Sequence, residues 1–144
     1  MKVLLDTNIV LDVLLDRNPF AEHAAYLMSK VENAEVQGYL CATTITTIHY
    51  LMTRALGAAK ASESLHTLVT LFAIAPVNRI VIEEALDANF KDFEDAVLDQ
   101  AALHAGVEFI ITRNLKDFKN SKVSALTPID FLAILSSTQA KSDL

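Results

Sequence analysis

Three stretches set carboxylates against apolar runs: VLLDTN, FKDFEDAVLDQAALHAG and IITRNLKDF. In the first, Asp6 follows Val3, Leu4 and Leu5, a short continuous apolar run of the kind found in parallel strands covered on both faces. In the second, Asp92 reads as a helix N-cap, with Glu94 and Asp95 in the first turn that follows. In the third, an apolar strand ends in Thr112, Arg113 and Asn114, and Asp117 comes three residues later. Ligands of open α/β sheets sit outside the carboxyl ends of the strands, so Asp6 and the 112–117 segment could open onto one pocket. Carboxylates gathered in a low-dielectric cleft repel one another, and the relief is a raised pKa or a bound divalent cation. Mg²⁺ or Mn²⁺ suits such oxygen donors and keeps waters that leave room for a phosphate and a nucleophile.

The elements that must position these groups alternate. Strands are expected at 3–5, 38–43, 72–77 and 107–112, with a candidate edge strand at 123–126. Helices are expected over 9–15, 19–36, 44–56, 58–71, 80–89 and 92–105, and from Thr127 and Pro128 through Leu135. Pro19 is pre-set for a first helical turn, Gly57 and Gly106 stand where helices should stop, and Thr127 is a capping residue. The alternation predicts an α/β fold, a three-layer α/β/α sandwich with a mostly parallel central sheet. With 144 residues, no repeat and no linker, a single domain over 1–135 is expected, followed by a frayed polar tail at 136–144.

A net charge of -6 argues against a generic basic nucleic-acid binder. Any nucleic acid must be held locally or through metal. Arg113, Lys116, Lys119 and Lys122 do form a basic loop beside the proposed site, suited to gripping RNA phosphates. The single cysteine, Cys41, excludes an intramolecular disulfide and is expected in the core, which fits a reducing cytoplasm. Asp6 interrupts the only apolar N-terminal stretch, and no uncharged run approaches the roughly 18 residues of a membrane span, so a cytoplasmic protein is expected. The 52% hydrophobic composition predicts surface covered by a partner or a second copy, hence a homodimer. Asp99 shares a helix face with Asp95 but is read as structural, and Asp12 and Asp16 as a solvated stripe. His23, His49, His66 and His104 show no metal-pair spacing, and Phe93 and Phe118 are read as core anchors.

LLDTN, FEDAV with its trailing small residues, and IITRNLKDF, in this order and spacing, resemble the PIN domain, the fold of many VapC-type toxin ribonucleases. The resemblance spans nearly the whole chain. It implies a Mg²⁺- or Mn²⁺-dependent endoribonuclease that cuts single-stranded or looped RNA, leaving a 5′ phosphate and a 3′ hydroxyl, and that is held by an antitoxin protein. By that resemblance Asp6, Asp95 and Asp117 are the metal ligands, with Asn114 in support. Thr7 and Asn8 orient Asp6, and Thr112 positions the attacking water. One departure stands out: the acidic residue usual in the helix after the second strand is absent from TITTIHYL, where the position falls on Thr47. A site with one carboxylate fewer binds metal less well, which sets the rival expectation of a catalytically degenerate PIN domain that binds RNA or protein. Glu94 is the candidate to compensate, although adjacent helical residues face different ways. A haloacid-dehalogenase-type phosphatase would need a second aspartate where Asn8 stands.

Overall fold

In the computed structural model, which describes residues 1–142, five short strands form one sheet in the order β3-β2-β1-β4-β5. They are β1 (Lys2–Leu5), β2 (Gln37–Cys41), β3 (Ala73–Ala75), β4 (Phe109–Ile111) and β5 (Ser124–Leu126). Every pairing is parallel, so the sheet exceeds the expectation of a mostly parallel one. The connecting helices are α1 (Thr7–Leu14), α2 (Ala21–Glu32), α3 (Ala42–Leu56), α4 (Ala58–Leu71), α5 (Arg79–Asp87) and α6 (Phe93–Ala105), and α7 (Pro128–Ser142) follows β5.

Side chains alternate across the strands and thereby sort the helices into two layers. Val3, Leu5, Leu40 and Ile111 pack against α1, α2, α3, α4 and α7, whereas Leu4, Cys41, Ala75 and Ile110 pack against α5 and α6. The three-layer sandwich follows. Residues 96–102 of α6 are all buried, the apolar and small ones together with the polar Asp99 and Gln100. Gly38 is dictated by packing on β2, because a Cβ there would meet the Phe72 ring at 2.6 Å and Val31 at 3.0 Å. Gly106 closes α6 in the left-handed conformation, φ 73°, that a helix end favours.

Several helix ends differ from expectation, and α2 does so at both: it stops at Glu32 instead of Val36, with Ala34 beyond it in the left-handed region at φ 59°. The Arg17 carbonyl accepts the N–H groups of Phe20 and Ala21 at 3.0 and 2.8 Å, and this turn delays α2 to Ala21 instead of Pro19. The last helix does not stop at Leu135 but continues to Ser142. Its polar residues stay helical by bonding locally and sideways: the Thr138 hydroxyl donates to the Ile134 carbonyl at 3.0 Å, and Gln139 Nε2 to Glu35 at 3.1 Å. The last two residues of the expected tail lie outside the described ones. No described helix is long and apolar enough to cross a membrane.

The chain builds β2 and β3 on one side of β1, and β4 and β5 on the other. That reversal opens a crevice at the carboxyl ends of β1 and β4, the place where ligands bind in such sheets.

Candidate active site

Asp6 closes β1 and caps α1, and it is only 7% exposed. Its Oδ1 accepts the Thr7 N–H at 2.8 Å, and its Oδ2 accepts the Thr112 hydroxyl at 2.8 Å from the end of β4. Its own N–H donates to the Ile111 carbonyl at 2.9 Å, which fixes the carboxylate across the β1–β4 crevice. Burial raises its pKa most. The two hydrogen bonds oppose the rise, while the charges of Glu94 and Asp117 add to it.

Asp95, in the first turn of α6, is pushed from the ordinary 3.8 up to about 7, chiefly by burial and then by the charges of Asp6, Asp92, Asp117 and Glu94. Asp117 reaches the same field from a 3-10 turn, Leu115–Phe118, that follows β4. The three carboxylates named from the sequence therefore do share one electrostatic environment. Glu94 joins them from the α3 side: the Thr47 hydroxyl lies 3.3 Å from Glu94 Oε1 and 3.2 Å from the Thr43 carbonyl, with one proton to give. Adjacency to Asp95 on the helix thus does not exclude Glu94 from the crevice.

Other residues sit differently from expectation. Thr112 is fully buried; its hydroxyl donates to Asp6 and accepts the Asn114 N–H at 3.0 Å, so it orients Asp6 and has no proton left for a water. Thr7 helps through its backbone, while its hydroxyl pairs with Thr44 at 2.9 Å. Asn8 Oδ1 accepts from Arg17 at 3.3 Å instead of steadying Asp6. Asp12, expected on a solvated stripe, is completely buried between Arg17 and Arg113 at 2.8 and 3.0 Å, so Arg113 is engaged by a carboxylate and not simply displayed to solvent. Asp99 is also buried and anchors the loop after the 3-10 turn through the Ser121 hydroxyl and the Lys122 N–H. Phe118 is a core anchor, edge-on to Phe90 at 6.1 Å, but Phe93 is 46% exposed at the start of α6.

Beside Asp95 and Asp117 lies a cavity of about 570 Å³ whose wall includes Lys91, Lys116 and Lys119. Lys91 and Asn120 are not singled out by the sequence; the Asn120 side-chain amide donates to the Asn89 carbonyl at 2.9 Å and ties the two walls together. The one signal for Lys91 is its place directly before the α6 N-cap.

Among the described residues no three acidic, histidine or cysteine side chains converge tightly enough to cage an ion unaided. The donors are nonetheless all hard oxygens in mutual repulsion. They fit a hydrated Mg²⁺ or Mn²⁺, which needs only one or two carboxylates and completes its shell with water and phosphate.

The fold and crevice define a parallel α/β protein with a carboxylate site at its topological switch point. The sequence matches the model of the PIN domain over residues 2–116, and the chain belongs to the PIN domain family. Similar solved structures cover most of it. The FitAB complex bound to a DNA fragment is 19% identical, with a TM-score of 0.69 and coverage of 88% of this chain and 94% of that one. A toxin–antitoxin complex from Klebsiella pneumoniae is 23% identical, with a TM-score of 0.66 and coverage of 88% and 97%. The sarcin-ricin loop cleaving toxin VapC20 of Mycobacterium tuberculosis is 14% identical, with a TM-score of 0.61 and coverage of 75% and 86%. No curated protein matches the sequence.

Proposed function

We propose that this protein is a Mg²⁺- or Mn²⁺-dependent endoribonuclease and the toxin of a toxin–antitoxin pair. The observation that carries the reading is Asp95, driven to about 7 by burial and by four neighbouring carboxylates beside a lysine-walled cavity. Such a field favours a divalent cation and, through it, a phosphodiester. Toxin–antitoxin complexes and a sarcin-ricin loop cleaving toxin among the structural neighbours support the same class.

In this reading Asp6 and Asp95 would hold a hydrated cation directly, and Asp117, with Glu94 as the further carboxylate that Thr47 does not supply, would act on it through water. The chemistry a cation would supply there is a lowered pKa for a water and charge neutralisation at the phosphate. Thr112 and the Thr7 N–H keep Asp6 aimed into the crevice. Asn114 supports the turn that carries Asp117, whose N–H donates to the Asn114 carbonyl at 3.0 Å. Lys91, Lys116 and Lys119 hold flanking phosphates, a local grip that lets the rest of the surface stay acidic. Single-stranded or looped RNA is the substrate. Exposed apolar side chains on the helices, Tyr26, Tyr50, Leu56 and Val69 among them, supply surface for an antitoxin or a second copy.

The neutral Thr47 favours one rival, a PIN domain that binds RNA or a partner without cutting. Calorimetry with Mn²⁺ separates the two. The nuclease reading expects binding by the wild type, its loss in Asp6→Asn and Asp95→Asn, and weakening in Glu94→Gln. A wild type that takes up no Mn²⁺ would favour the rival.

A further inference from the structure

The buried Asp12 is bound from two directions. Arg17, in the α1–α2 connection, approaches Asp12 Oδ1 at 2.8 Å, and Arg113, immediately after Thr112, donates from Nε to Oδ2 at 3.0 Å and lies 3.4 Å from Oδ1 through Nη2. Arg17 also donates to the Asn8 carbonyl at 3.1 Å, so it touches α1 at two positions one turn apart. The Phe20 ring covers the Arg113 guanidinium at 4.1 Å. On the other side of Arg113, Thr112 and Asn114 make the hydrogen bonds that aim Asp6. No residue of slack separates the guanidinium from that hydroxyl.

A carboxylate with no exposure is costly to bury, and the two arginines offset this only in good geometry. We infer that Asp12, Arg17 and Arg113 form a clamp that positions the 112–114 loop, so that the Thr112 hydroxyl stays on Asp6; Asp12 and Arg113 are positioning residues for the site. The inference rests on the reading of Asp6 as a metal-binding group, but the clamp itself is measurable without metal. Arg113→Ala is the variant of choice because Asp12 keeps Arg17, whereas Asp12→Asn strands two arginines.

Amide hydrogen exchange by NMR in chelator is the first readout. In Arg113→Ala the Asn114 and Thr7 amides should exchange about tenfold faster, while the Thr112 amide, bonded to the Leu126 carbonyl at 2.9 Å, stays as protected as in the wild type. Arg113→Lys, which keeps the charge but loses the fork, should fall between. Uniform acceleration across the sheet, or none at the two amides, overturns the clamp. The second readout is Mn²⁺ affinity: Arg113→Ala should weaken it about tenfold, as loss of a group that orients a metal ligand commonly does. Added to Thr112→Val, the same substitution should change it less than about twofold, because both act through one hydroxyl. Losses that multiply overturn the inference. A wild type that binds no Mn²⁺ defeats the metal-site reading instead, and the exchange result then decides the clamp alone.

Discussion

Asp95→Asn should stabilise the metal-free protein, and by an amount that depends on pH. The carboxyl has an ordinary value of 3.8 and sits at about 7 in the fold, so its charged form is disfavoured there. That rise corresponds to about 4 kcal/mol at one value of pH above both. Asp95 is only half-buried, and its place in the first turn of α6 favours negative charge, so screening and the helix dipole reduce the penalty to about 2 kcal/mol. Because the folded state holds the proton more tightly, the wild type loses stability as pH rises from about 4 to about 7, and the full penalty is present above that. Asparagine carries no charge to penalise. Urea unfolding in chelator should show Asp95→Asn more stable by about 2 kcal/mol at pH 8, roughly 4–8 °C in melting temperature, and by under about 1 kcal/mol at pH 5. Saturating Mg²⁺ should narrow the gap at pH 8 by stabilising only the wild type. A gain of equal size at both values of pH, or a loss at pH 8, would refute the penalty on the charged Asp95, chiefly burial and then repulsion, on which the site is built.

Further outcomes follow from the same geometry. Thr47→Glu should strengthen Mn²⁺ binding and make Glu94→Gln nearly silent in that background, because one carboxylate on that side suffices; calorimetry on the two single variants and the double variant checks it. Lys91→Gln should lower affinity for a non-cleavable single-stranded oligonucleotide and flatten the slope of log K against log salt by about 0.7, as expected when one phosphate fewer is neutralised. Gly38→Ala should cost about 1–3 kcal/mol in urea unfolding, since the Phe72 ring at 2.6 Å must move to admit the methyl.

The layer architecture is legible because VLLDTN and IITRNLKDF carry short apolar runs stopped by polar residues, and Gly57 and Gly106 mark helix ends. The grouping of Asp6, Asp95 and Asp117 is legible for a related reason: Asp6 directly follows β1, Asp95 lies in the first turn of α6, and Asp117 sits in the turn that follows β4. What stays hidden depends on long-range contacts. Asp12 repeats with Asp16 at a spacing typical of a solvated face, and only the fold shows that Arg113, from beyond a strand far along the chain, covers it. Phe93 escapes a sequence reading because an aromatic residue at a helix start can face either way until the neighbouring elements are placed. The Glu94 and Thr47 pairing is tertiary too, since α3 and α6 approach from different strand ends. The final helix outruns its expected end because a polar composition reads as fraying even where sideways bonds keep it helical.

The most direct measurement of the central claim is cleavage of a structured single-stranded RNA in Mg²⁺ and in Mn²⁺, with the ends mapped, for the wild type beside Asp6→Asn. The account predicts metal-dependent cuts that leave 5′ phosphates and 3′ hydroxyls, abolished by chelator and by Asp6→Asn. Cleavage that survives in Asp6→Asn, or a wild type that binds Mn²⁺ and the RNA yet leaves it intact, would contradict it.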